Sequence, residues 1–279
     1  MRSKSPLILG LAVALLAASG VKLKLDALPR AAVPGSSASY LPTGKFLRAA
    51  TFGYPSLLAD VLFVWAIQYF GNPKIPDKFD RFEHIFSVIS DLDPGWIDPY
   101  ETAAVIALYE AGDVPLALKM FDLGAAKNPD KWIFPYQAGH YAQRYLKDYD
   151  LAKSYYQKAM NLPGAPAITK RLFANAAFLT MDLKTAWETW SEVEAGTDDP
   201  QIRKIASNHL YRIKATADLA VLRQALEAYR EKYGRWPSDL DRLVSAGFLA
   251  AVPKDMDGRA YAYDPAAGII ETAILFWKR

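Results

Sequence analysis

"VPLALKMFDLGAAKNP" (114–129) decides the fold, because two later stretches repeat its plan. They are "YDLAKSYYQKAMNLP" (149–163) and "LKTAWETWSEVEAGTDDP" (183–200). The small residues Ala117, Ala152 and Ala186 stand 35 and 34 positions apart. The large aromatics Phe121, Tyr156 and Trp190 keep the same intervals, and Gly124, Ala159 and Val193 follow three residues later. Pro94, Pro129 and Pro163 close the units at the same spacing. A small side chain lets two antiparallel helices approach closely, and an aromatic four residues on fills the same helical face. Proline cannot continue a helix, so each one marks the turn to the next unit. A fixed period of this length is the mark of stacked helix pairs. One step earlier Phe86 and Pro94 keep the spacing, so the chain from about residue 54 forms a first, degenerate unit.

The pattern resembles the tetratricopeptide repeat, a helix–turn–helix unit with small, large, small and proline positions in its second helix. The resemblance covers residues 54–200. Gly112 and Gly139 fit its first-helix positions, whereas the usual tryptophan there is missing and the second unit is one residue short. The resemblance implies a mainly α solenoid of antiparallel helix pairs, whose first helices line a concave surface suited to a peptide or helix. Projected onto this chain, that surface carries Thr102, Tyr109, Tyr136, His140, Arg144, Arg171, Asn175 and Phe178. These are the expected protein-binding residues.

The flanks differ in kind. "MRSKSPLILGLAVALLAASG" opens with Arg2 and Lys4 and continues as an uncharged apolar run through Val21. It reads as an uncleaved signal anchor over residues 1–22, entering the membrane through residues 6–21. Lys22, Lys24 and Arg30 lie beyond it, and the short basic start favours an amino terminus inside with the bulk outside. The expected location is a single-pass inner-membrane protein with a periplasmic body. Residues 23–50 contain "LPRAAVPGSSASYLPTG" (28–44), rich in proline, glycine and serine, and read as a linker. "YPSLLADVLFVWAIQYF" (54–70) is too short and too polar for a second span, with Asp60 and Gln68 inside it. It reads as a buried first helix with those two residues on the wetter side.

From residue 201 the chain reads as a capping helix followed by a small α/β module. Apolar positions 219, 222, 226, 229 and 233 keep helical rhythm. Gly234 allows the left-handed turn that ends a helix, and Ser238 with Asp241 suggests a capping box before "DLDRLVSAG". "RAYAYD" and "IIETAIL" alternate as two strands around the turn "PAAG". The order resembles the carboxy-terminal part of type II secretion pseudopilins. The matching residues are Tyr233, Gly234, Trp236, Pro237, Leu240, Leu243, Pro253, Asp255, Gly258, Tyr261 and Tyr263. Trp236 replaces the usual tyrosine, and the anchor is roughly 200 residues away instead of adjoining the module. A borrowed fold is therefore expected, with Trp236 as its packing plug.

The chain has 279 residues, a net charge of +3 and no cysteine. Thiolate catalysis, disulfides and zinc-thiolate sites are excluded, and the scattered charge gives no basic face for nucleic acid. No phosphate-cradling loop, nucleophile elbow or paired-histidine metal motif occurs. His84, His140 and His209 stand alone, and "DMDG" (255–258) reads as a turn, since it lacks the further oxygen ligands calcium needs. No cofactor, metal or catalytic residue is expected. The expected function is a membrane-anchored scaffold binding another protein in an envelope assembly such as a secretion, pilus or transporter complex. An enzyme or ligand-binding protein with its site between repeats and terminal module, and a filament-related subunit, are the alternatives.

Overall fold

The computed structural model describes residues 5–27, 41–75 and 77–273. Among them are twelve α-helices and one two-stranded antiparallel sheet. The fold is mainly α, with its helices packed in neighbouring pairs. After α1 (Ser5–Ala27) and α2 (Gly44–Ala50), the pairs are α3 (Pro55–Phe70) with α4 (Phe82–Leu92), and α5 (Asp98–Tyr109) with α6 (Val114–Lys127). Next come α7 (Ile133–Tyr141) with α8 (Tyr149–Met160), and α9 (Ala167–Leu179) with α10 (Leu183–Ala195). A single π turn, Ala142–Leu146, extends α7.

The repeat residues sit where close packing demands them. Ala117, Ala152 and Ala186 are fully buried, and Phe121, Tyr156 and Trp190 are buried beside them. Gly139 is needed for the same reason, since a Cβ there would stand 2.8 Å from the buried ring of Tyr156. The turns within pairs are equally regular. Asp113, Asp148 and Asp182 cap α6, α8 and α10 by accepting the backbone N–H of Leu116, Leu151 and Thr185. Each satisfies a helix-start donor that would otherwise be orphaned. The residue before each cap, Gly112, Lys147 or Met181, has a left-handed backbone with φ of 67°, 58° and 60°.

One apolar core runs from α2 to α9, and a second joins α9 and α10 to the start of α11 (Pro200–Tyr233). The third core belongs to the end of the chain. It gathers Tyr211, Leu222, Leu226 and Tyr229 of α11, Leu243 of α12 (Asp241–Ser245), and Tyr261 and Ile270 beside or within the hairpin. Strands β1 (Ala262–Asp264) and β2 (Ile269–Glu271) pair with Tyr263 opposite Ile270. Gly234 ends α11 at φ 71°, as its position implies. The ring of Trp236 packs closely on Gly268, where a Cβ would collide with it, and the Arg230 guanidinium lies 4.6 Å from its ring centre.

Four details depart from the sequence reading. The expected linker 23–50 includes the end of α1 and all of α2, which packs on α4; residues 28–40 lie outside the described residues. Arg48 explains the docking of α2, because it donates to the terminal carbonyls of Asp91 and Leu92 on α4. The start of α12 is held by Asp239, which accepts Arg242 N–H at 3.0 Å, while Ser238 merely donates to the Asp239 carboxylate. Helix α3 is buried on one side only. Ala59, Ala66, Tyr69 and Phe70 face the core, while Leu57, Val61 and Val64 are 64, 59 and 55% exposed. Asp60 and Gln68 are exposed as expected. Finally, the strand expected over 269–275 is β2 as far as Glu271, and residues 274–275 lie outside the described residues.

The membrane segment expected over residues 6–21 falls within α1, whose side chains are described from Val13 to Lys24 and are exposed. Among the described residues, no helix is long and apolar enough to cross a membrane.

Candidate protein-binding face

The first helices of successive pairs are tied together by exposed polar side chains. Gln137 on α7 donates to Glu101 on α5 at 3.3 Å. The hydroxyls of Tyr109, at the end of α5, and Tyr145, in the π turn after α7, meet at 3.1 Å. Tyr109 is 70% exposed, so a large ring and a hydroxyl are held open to solvent across a unit boundary. Its hydrogen bond is the main cause that raises the Tyr145 pKa above the ordinary phenol value. The Arg144 guanidinium lies 5.8 Å from the Tyr145 ring, within cation–π range. His140, one turn earlier, is lowered from its ordinary pKa by partial desolvation and then by Arg144.

Tyr109, His140 and Arg144 are therefore brought together around Tyr145, a residue the sequence reading did not select. Tyr136 is half-buried and meets Trp132 edge-on at 5.6 Å, and Thr102 is half-buried on α5. On α9, Arg171 and Asn175 are half-buried. The Arg171 Nε has no hydrogen-bond partner among the described residues. Phe178 departs from the expected open surface. It is buried in the core between α9, α10 and α11, with the Arg212 guanidinium 4.4 Å above its ring. The physical reason is α11, whose first half covers that end of α9.

This face offers rings, hydroxyls and cations without an assembled acid, base and nucleophile. Among the described residues, no group of three histidines and carboxylates is arranged to hold a metal ion. Asp255 of the "DMDG" stretch builds the turn. One carboxylate oxygen accepts the N–H groups of Asp257 and Arg259 at 2.9 and 2.8 Å, and the other accepts the Tyr211 hydroxyl at 3.0 Å. The lone histidines also have local roles. His84 Nε2 is 2.8 Å from the Leu41 carbonyl, and His209 stacks on Trp190 at 4.1 Å.

No protein-family model matches the sequence, and no curated protein matches it either.

Proposed function

We propose that this chain is a membrane-tethered helical-repeat scaffold that holds a segment of another protein along its first helices, within a bacterial envelope assembly such as a secretion, pilus or transporter complex. One observation carries the reading: exposed Tyr109 and Arg144 meet around half-buried Tyr145 in a cluster bridging two helix pairs. Tyrosine and arginine are the side chains that most often dominate binding energy at protein interfaces. The repeat spacing and its resemblance to the tetratricopeptide repeat support the same assignment. The tether rests on the amino-terminal sequence, a basic start followed by a run without charge from Ser5 to Val21, the pattern of a signal anchor. The basic start of the chain favours a single pass with the body on the periplasmic side.

The test is affinity isolation of the tagged full chain from solubilised membranes, beside a Tyr109→Ala, Arg144→Glu double variant. A partner that binds the parent chain should lose ~30-fold or more in affinity with the variant, as expected for hot-spot truncation of ~2 kcal/mol or above. Circular dichroism should show unchanged helicity, because both side chains are exposed. A partner retained equally by both proteins would place the interface elsewhere.

A further inference from the structure

We infer that the outer side of α2 and α3 is a second membrane contact, lying on the lipid surface instead of crossing it. Phe46, Phe52, Tyr54, Leu57, Val61 and Val64 are 63, 93, 72, 64, 59 and 55% exposed. The last three fall at intervals of four and three residues, so they form one stripe along α3. A run of large apolar side chains left open in this way marks a docking surface. The backbone reinforces the point at Phe52. This residue has φ 51°, a conformation costly for a side chain of its size, and it projects almost entirely into solvent. Gly53 follows at φ 98°, so the elbow between α2 and α3 turns an aromatic ring outward.

The occupant follows from position along the chain. Sixteen residues separate Ala27 from Gly44, which is at most about 60 Å of chain. If α1 is the membrane tether, α2 and α3 are the first folded surface after it and are confined near the bilayer. This inference rests on that part of the proposed function. Spanning is excluded by geometry, since α3 has 16 residues and is only about 24 Å long. Its other side is locked into the core by Ala59, Ala66, Tyr69 and Phe70. A half-buried helix with aromatic residues at one end suits the boundary between headgroups and acyl chains. Exposed Lys45 at one end and Lys74 at the other can reach lipid phosphates, while Asp60 borders the stripe and limits its depth.

The absence of cysteine makes the test direct. Full-length Phe52→Cys and Val61→Cys proteins, and a Lys184→Cys control on α10, are labelled with an environment-sensitive fluorophore. They are then reconstituted into vesicles of phosphatidylethanolamine and phosphatidylglycerol. The inference expects a blue shift and quenching by nitroxide lipids at positions 52 and 61, with iodide quenching only position 184. Vesicle-bound protein whose labels at 52 and 61 are quenched by iodide as strongly as the control would overturn the inference and leave the tether intact. Labels shielded from both quenchers would assign the stripe to a second copy of the chain and overturn it too. Protein that fails to float with the vesicles would overturn the tether, and the lipid contact with it.

Discussion

Met181 shows at the scale of one residue what the repeat asks of its turns. It occupies the place held by Lys147 one unit earlier and by Gly112 two units earlier, with a side chain at φ 60° and 62% exposure. A left-handed backbone costs a residue with a Cβ ~1–2 kcal/mol, while glycine there loses ~0.4–1 kcal/mol through its freer unfolded state. Met181→Gly should therefore stabilise the protein by about 0.5–1 kcal/mol, seen as a higher urea midpoint at unchanged slope. A lower midpoint would show that the methionine side chain contributes more than the strain costs. His209 gives a prediction in pH. Burial, and then Arg212, lowers its pKa to about 4, against an ordinary value of 6.5. Between those values the unfolded chain binds a proton that the folded ring refuses. The stability held by the neutral ring is complete above pH 6.5 and is lost as the pH falls towards 4, by about 2 kcal/mol. His209→Phe keeps an aromatic stack on Trp190 and removes the proton. Its unfolding free energy should fall about 2 kcal/mol less than that of the parent between pH 7 and 4.5. Equal pH dependence of the two proteins would assign the loss to other groups. The buried alanines were legible in the sequence because no larger residue fits a close helix approach. The Asp113, Asp148 and Asp182 caps were equally periodic, yet an aspartate is so common at surfaces that it carries little signal alone. Lys147 and Met181 gave no sign of left-handed turns, since neither residue type favours one.

Among the elements, the terminal module turns on one ring. Trp236 touches both Gly268 of the hairpin and Arg230 of α11, and Tyr263 donates to the Pro237 carbonyl at 2.9 Å. Replacing a large packed aromatic with alanine costs ~3–5 kcal/mol, and the partial exposure of Trp236 places it near the lower bound. Trp236→Ala should raise hydrogen exchange across residues 215–273 while leaving α3 to α10 protected, because stacked pairs draw stability mainly from their neighbours. Increased exchange along the whole array would mean that the molecule unfolds as one unit. Sequence reading found the plug, the helix end and the hairpin, whose glycines and prolines have few conformational alternatives. It missed the contact of Trp236 with Gly268, which depends on a fold across 32 positions that no local pattern encodes. Phe178 was misplaced for the same reason. Its cover, Arg212, belongs to a helix two elements later.

At the scale of the molecule, the three cores contain none of the described side chains of α1, Val13 to Lys24. Deleting residues 1–22 should therefore leave the thermal midpoint unchanged and remove only the helical signal of α1 itself, measured by circular dichroism in detergent-free buffer. A lower midpoint would show that the amino-terminal helix packs on the body. The array of pairs was readable from its spacing, and so was a helix after residue 200 whose first half caps it. Helix α11 runs 34 residues without a glycine or an internal proline, the usual sites of a kink. Leu210 and Ile213 enter the core of the last pair, while Tyr211 between them enters the core of the terminal module. The consequence is kinematic. Where two bodies grip opposite sides of one shaft within a single turn, no joint separates them. A tilt imposed on the hairpin arrives at α9 and α10 as a rotation about the same axis, so the terminal module steers the end of the array and does not ride on it.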